Sequence, residues 1–217
     1  VIIDELQSYP PRMWNKIICL ISWYAQYFNM KFILMSATLP KIGKLLMAND
    51  RQDPFTYLVP DRDKYFRNPN FCNRVSFDYS LLEKEKPNDD TKEAYLKELF
   101  NVVEEKSYQY STENKDNVNG VFTIVEFITK RTANTFYSLA KEVNGFFDNI
   151  VILSGTILEP RRRMIISSLK STCYRNSKLL LITTQVVEAG VDIDMDLGFK
   201  DKSLIDSEEQ LAGRINR

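Results

Sequence analysis

VIIDELQSYP, residues 1–10, sets three β-branched residues against two adjacent carboxylates and ends on a proline. A short run this rich in β-branched side chains is the pattern of a parallel strand buried on both faces. At the C-terminal end of such a strand an α/β sheet presents its acids to a nucleotide. Asp4 and Glu5 fall at that end, with Gln7 just beyond. Pro10 and Pro11 then open a helix, since proline's fixed φ suits the first turn and its missing N–H is not needed there. Trp14, Ile17, Ile18, Ile21 and Tyr24 carry the helical period on to about Tyr27. A second apolar run, Lys31 to Met35, ends in Ser36-Ala37-Thr38, and Pro40 starts a helix bearing Ile42, Leu45 and Leu46. The order β-α-β-α is the back half of a doubly wound domain, with Asp4 and Glu5 expected at the edge of a central strand.

Outward from there, Pro54, Pro60 and Pro69 stand among charges and mark a connection ending near residue 72. Val75 to Leu82 alternate as a strand would, Thr91 to Lys106 form an amphipathic helix, and the polar stretch from Ser107 to Asn119 reads as a loop. Strands at Val121–Phe127, Ile150–Leu153 and Lys178–Thr183 then alternate with helices at Lys130–Val143 and Pro160–Cys173. A last strand is expected near Asp196–Phe199, before a helix from about Asp206 that runs to the end of the chain. The chain thus divides into an α/β lobe at 1–72 and a second at 73–217.

Composition narrows the chemistry. The 217 residues contain no histidine, which excludes Ser-His-Asp and Cys-His nucleophile systems, histidine-ligated zinc and histidine-based metal nucleases within them. Cys19, Cys72 and Cys173 have no paired spacing and are expected to be reduced and mostly buried. No apolar run is long enough for a bilayer and no charged-then-apolar leader opens the chain, so a cytoplasmic protein without a membrane segment is expected. Net charge is zero, so no global positive field advertises a polyanion. A protein that holds a few phosphates through amides and hydroxyls needs little net charge.

Four stretches carry the chemistry: DELQ at 4–7, SAT at 36–38, TTQVVEAGVDID at 183–194 and QLAGRINR at 210–217. Singly each has a plain structural explanation: a solvated strand end, a helix-capping turn before Pro40, a glycine turn, a basic helix terminus. In this order across two α/β lobes they resemble motifs II, III, V and VI of superfamily 2 helicases. Among those, the type I CRISPR-associated effector helicase–nuclease is the closest likeness, with DELQSYP, LMSATLP, TTQVVEAGVDIDMD and LIDSEEQLAGRINR as the matching segments.

The resemblance implies two RecA-like parallel-sheet lobes, the first truncated at its N-terminus, and a parent enzyme that hydrolyses ATP with Mg²⁺ while moving on single-stranded DNA. It implies a type I CRISPR surveillance complex as partner. Asp4 would hold Mg²⁺, Glu5 would orient or deprotonate the attacking water, and Gln7 would contact the nucleotide. Arg214 and Arg217, three apart on one face if the closing helix is intact, would meet the terminal phosphate across the interlobe cleft, Arg217 as the arginine finger and Gln210 beside them. Gly190 and Asp192 would approach the nucleotide. Ser36, Thr38, Thr183 and Thr184 would contact the nucleic acid, with Thr129 and Lys130 as weaker candidates. No Gly-x-x-x-x-Gly-Lys-Ser/Thr occurs in the chain. That absence and the missing histidines are expected to reflect truncation of the family's N-terminal part. Two rivals stay open: another superfamily 2 helicase acting on RNA or duplex DNA, and a non-catalytic module that binds nucleic acid or protein.

Overall fold

A computed structural model describes the chain except residues 7–8, 37–54, 62–63, 65–66, 68–73, 84–86, 114–119, 156, 172–173, 186–190, 204 and 217. It divides into two compact units, Val1–Cys72 and Asn73–Arg217.

In the first unit, β1 (Ile2–Ile3) and β2 (Ile33–Leu34) pair in parallel, Ile2 beside Ile33 and Ile3 beside Leu34. Parallel neighbours need a crossover, and α1 (Pro11–Phe28) supplies it. The helix stops at Asn29, which turns left-handed at φ 50° and returns its N–H to the Tyr24 carbonyl. At the other end the Trp14 indole Nε1 donates to the Tyr9 carbonyl at 2.9 Å, pinning the entry. Leu6 and Ile18 are buried together, with Ile3, Ile17, Leu34 and Phe55 around them. Ile2 and Ile33, on the alternate face, are 65% and 41% exposed. Within the described residues β1 has one neighbour, so the central strand expected from the sequence is a member of a two-stranded sheet here. Cys19, expected to be buried, is exposed, because it follows Ile18 by one residue, a rotation of about 100° away from the packed side. Cys72, Cys173 and the helix expected from Pro40 lie outside the described residues.

The second unit holds four parallel strands, β3 (Val121–Phe127), β4 (Asn149–Leu153), β5 (Lys178–Thr184) and β6 (Leu197–Lys200), in the order β4-β5-β3-β6. Helices α2 (Lys92–Glu113), α3 (Lys130–Val143), α4 (Glu159–Lys170) and α5 (Ile205–Ala212) accompany them. Strand alternation sorts the core into two layers. Val125, Phe127, Leu180 and Ile182 pack against Phe100 and Val103 of α2 and Phe136 and Leu139 of α3. Phe122, Ile124, Leu179 and Leu181 pack against Leu169, Leu211 and the segment carrying Val191, Ile193 and Met195. A strand buried on both faces reads as a continuous apolar run, which is why β3 and β5 were legible. Thr129 caps α3, its Oγ1 accepting the Thr132 N–H at 3.2 Å.

Three expectations are corrected. Val75–Leu82 is not a strand: residues 75–79 are irregular, and the Asp78 carboxylate accepts the Ser80 N–H at 2.9 Å, turning the chain into a 3₁₀ segment at Ser80–Glu83. Residues 107–113 are not loop but the last turns of α2. Ser107 is fully buried there, with its hydroxyl on the Val103 carbonyl and on Thr123 Oγ1, both at 2.7 Å. The closing helix does not reach Arg214. It ends at Ala212, and Ile215 is drawn onto the sheet, where it bridges Met195 in parallel. No helix among the described residues is long and apolar enough to cross a membrane.

Candidate nucleotide and nucleic-acid site

The candidate residues fall into two groups, one in each unit. In the first, β1 delivers Asp4 and Glu5 to the C-terminal end of the sheet, and β2 delivers Ser36 to the same end. The Met35 N–H donates to the Ile3 carbonyl at 2.9 Å, which fixes the two strand ends side by side. Glu5 sits at φ 53°, a left-handed conformation that costs a non-glycine residue roughly 1–2 kcal/mol, and the Asp4 carboxylate answers it by accepting the Glu5 N–H at 2.8 Å. Both acids are exposed, while Leu6 behind them is buried. Backbone strain beside a solvent-facing acid pair is where function is to be sought first. Gln7 and Thr38 lie outside the described residues.

In the second unit the segment Val191–Asp196 runs with Val191, Ile193 and Met195 buried, so that Asp192, Asp194 and Asp196 face the other way. The Asp192 carboxylate meets the Lys170 ammonium at the end of α4, 3.3 Å away. Met195 is stitched to the chain end: its N–H donates to the Arg214 carbonyl at 2.9 Å, and its carbonyl accepts the Asn216 N–H at 2.8 Å. The two segments that resemble motifs V and VI are therefore one hydrogen-bonded pair. Gly198 makes room for it, since a Cβ there would come within 2.9 Å of Ile215 Cδ1. Gln210 is half-buried on α5 and Arg214 half-buried in the turn after it. Gly190 and Arg217 lie outside the described residues.

The threonines separate. Thr183 is 0% exposed, and its hydroxyl donates to the Leu153 carbonyl of β4 at 2.7 Å. The structure thus places it inside the sheet, where it ties β5 to β4. Thr184, at the last position of β5, keeps 5% exposure. Thr129 and Lys130 are exposed at the start of α3.

Sequence reasoning passed over two charged clusters. Arg175 contacts both Asp194 and Asp196, and the alternating VDIDMD pattern, with three acids on one side, was the signal that a cation should be sought opposite them. Under α5, Lys200 is paired with the buried Glu126 of β3. Burial pulls Lys200 down to about 8, against the opposing pull of Asp201 and Glu208. A lone Glu within an apolar strand gave no hint of its partner 74 residues on.

The parallel sheet of the second unit, the helices on its faces and the paired segments at 191–196 and 214–216 have the RecA-like α/β fold. Residues 119–217 match the family model for the CRISPR-associated nuclease/helicase Cas3, C-terminal. The whole chain aligns at 25% identity with the CRISPR-associated nuclease/helicase Cas3 of Methanothermobacter thermautotrophicus and at 24% with that of Streptococcus thermophilus, covering 24% of each. The chain therefore spans about a quarter of the length of the curated relatives it matches. Among solved structures, T. fusca Cas3 superposes over 99% of this chain and 27% of its own, with a TM-score of 0.62 at 18% identity. A Dbp5 variant from S. cerevisiae bound to RNA and ADP BeF3 covers 100% of this chain and 49% of its own, with a TM-score of 0.52 at 19% identity. The likeness to CRISPR-associated helicase–nucleases first read from four short motifs holds along the full chain.

Proposed function

We propose that this chain is the motif II to VI part of an ATP-driven translocase on single-stranded DNA that serves CRISPR defence. The observation that carries it is the order of the four motif segments, borne on two parallel α/β units of a chain similar throughout to Cas3. Asp4 would hold Mg²⁺, which keeps several waters and takes one or two carboxylates with the substrate's phosphates. An exposed acid at a strand end suits that role, and among the described residues no cluster of three or more acids or thiols forms an all-protein cage. The metal would neutralise charge on the transferred phosphoryl group. Glu5 would orient or deprotonate water, with Gln7, Gly190, Asp192 and Gln210 around the nucleotide. Arg214 and Arg217 would meet charge developing on the terminal phosphate. Ser36, Thr38 and Thr184 would hold the strand's phosphates, while Thr183, with its proton spent on Leu153, would act through β5. Solved Cas3 structures with ATP and ADP support the nucleotide, and a likeness to a chain of a CRISPR RNA-guided surveillance complex, pre-nicking, supports the partner.

The test is ATP hydrolysis by a longer protein that joins this segment to a phosphate-binding loop. Single-stranded DNA should stimulate it more than RNA or duplex DNA does; stronger stimulation by RNA would favour another superfamily 2 helicase. The 217-residue polypeptide alone should show no appreciable hydrolysis, because it has no glycine-lysine loop to hold the triphosphate beside Asp4. The same absence favours a second possibility, a binding module that holds nucleic acid or protein without turnover.

A further inference from the structure

Arg175 lies outside all four motifs, in the 3₁₀ turn Tyr174–Asn176 that precedes β5. This turn is pressed against the start of β3: a Cβ at Gly120 would come within 2.5 Å of the Arg175 and Ser177 carbonyls, so only glycine admits it. From there the guanidinium reaches four groups. Its Nη2 is 2.7 Å from the Asp194 carboxylate and donates to the Asp194 carbonyl at 2.8 Å. Its Nη1 is 3.4 Å from the Asp196 carboxylate, and its plane lies 4.7 Å over the Phe122 ring. Asp196 in turn accepts the Phe122 N–H at 2.7 Å. A planar fork can hold two acids and a ring at once, which a lysine's point charge cannot. Burial pushes the Asp196 carboxyl above its ordinary value, so it is a group that gains from a fixed cation. Tyr110 of α2 faces the same cluster, its phenol pushed up by burial and by Asp196.

Between the two braced acids stands Met195, whose N–H and carbonyl carry the segment 214–216. We propose that Arg175 is a positioning residue for phosphoryl transfer: by clamping Asp194 and Asp196 to β3 it fixes the Met195 backbone on which Arg214 is hung. This rests on the assignment of Arg214 to the terminal phosphate. Misplacing such a group by about an ångström can cost up to a hundredfold in rate without touching ground-state binding.

The experiment is a double-mutant cycle on the longer, ATP-hydrolysing protein. Arg175→Ala should lower kcat about tenfold and leave the nucleotide KM within about twofold, and Arg175→Lys should fall between it and wild type. Arg214→Ala should be slower still, and Arg175→Ala added to it should change little further, because both act through one group. In hydrogen exchange, the Met195 and Asn216 amides should open faster in Arg175→Ala. If Arg175→Ala does not fold, the cycle is run with Arg175→Lys. A slow Arg214→Ala beside a near-wild-type Arg175 variant, or additive losses, overturns the positioning role alone. An Arg214→Ala protein as fast as wild type overturns the arginine assignment and this inference with it.

Discussion

In Asn73–Arg217 the sheet is covered on both faces; among the described residues of Val1–Cys72, a two-stranded sheet and one helix bury Leu6, Ile18 and Ile21. Helix α1 turns Trp23, Tyr27 and Phe28 outward, each more than half exposed. The difference teaches where the free energy of folding resides and where the proposed chemistry sits. The second unit supplies a rigid frame on which loops 191–196 and 214–216 are hung. The first supplies the acid pair, on a strand end with thin cover.

That comparison can be broken or sharpened at several places. The largest effect is expected at the arginines borne by the well-packed unit. In a longer protein that joins this segment to a phosphate-binding loop, Arg217→Ala should lower turnover by on the order of 10³-fold or more while nucleotide affinity changes little, measured as kcat against Kd for ATP. Turnover near wild type would move the finger to Arg214.

Next comes stability. Phe100 is fully buried, its ring 6.0 Å from Phe136 and 6.4 Å from Phe147. Phe100→Ala should cost about 3–5 kcal/mol in chemical denaturation of the 217-residue chain. Trp23→Ala, at a side chain 61% exposed, should stay within about 0.5 kcal/mol. Equal losses would show that α1 is as firmly packed as the second unit and would erase the contrast between them.

Much of this was legible in the sequence, for reasons that particular residues make plain. The bounds of α1 and β3 followed from proline at a helix start and an unbroken apolar run, while the Thr129 cap that starts α3 was read only as a weak phosphate contact. The failures have causes that act at a distance. Val75–Leu82 alternates like a strand, but Asp78 captures the Ser80 N–H and no sheet edge takes the segment up. Ser107 looks like a loop residue until Thr123 is folded beside it. The closing helix was expected to run from about Asp206 to the chain end and so carry Arg214, yet it stops at Ala212, and Ile215 packs beside Gly198 and pairs with Met195. The four motifs were visible because their order is a linear property; the clamp by Arg175 was not, because it joins residues 19 and 21 apart across two strand ends.

A smaller effect is expected at Thr184. Thr184→Ala should weaken single-strand binding equally across sequences and reduce its salt dependence by well under about one unit of slope, since a hydroxyl carries no charge. A sequence-dependent loss would argue for a base contact instead. The smallest concerns Lys200, faced by Glu126, Asp201 and Glu208. Its ammonium should titrate near 8, not 10.5, by ¹⁵N NMR. Between those values the unfolded chain holds the proton that the folded chain has released, so this group makes the fold more stable as pH rises through that window. A midpoint at the ordinary value would mean that the facing carboxylates, Glu126 foremost, offset the burial.

The most direct measurement is steady-state ATP hydrolysis, with and without single-stranded DNA, by the longer protein and its Glu5→Gln variant. Wild type should be strongly stimulated by DNA, and Glu5→Gln should bind ATP and DNA normally yet turn over roughly 10²–10⁴-fold more slowly, as loss of a general base does. A Glu5→Gln enzyme that hydrolyses ATP at the wild-type, DNA-stimulated rate would contradict the assignment of the first strand end to catalysis.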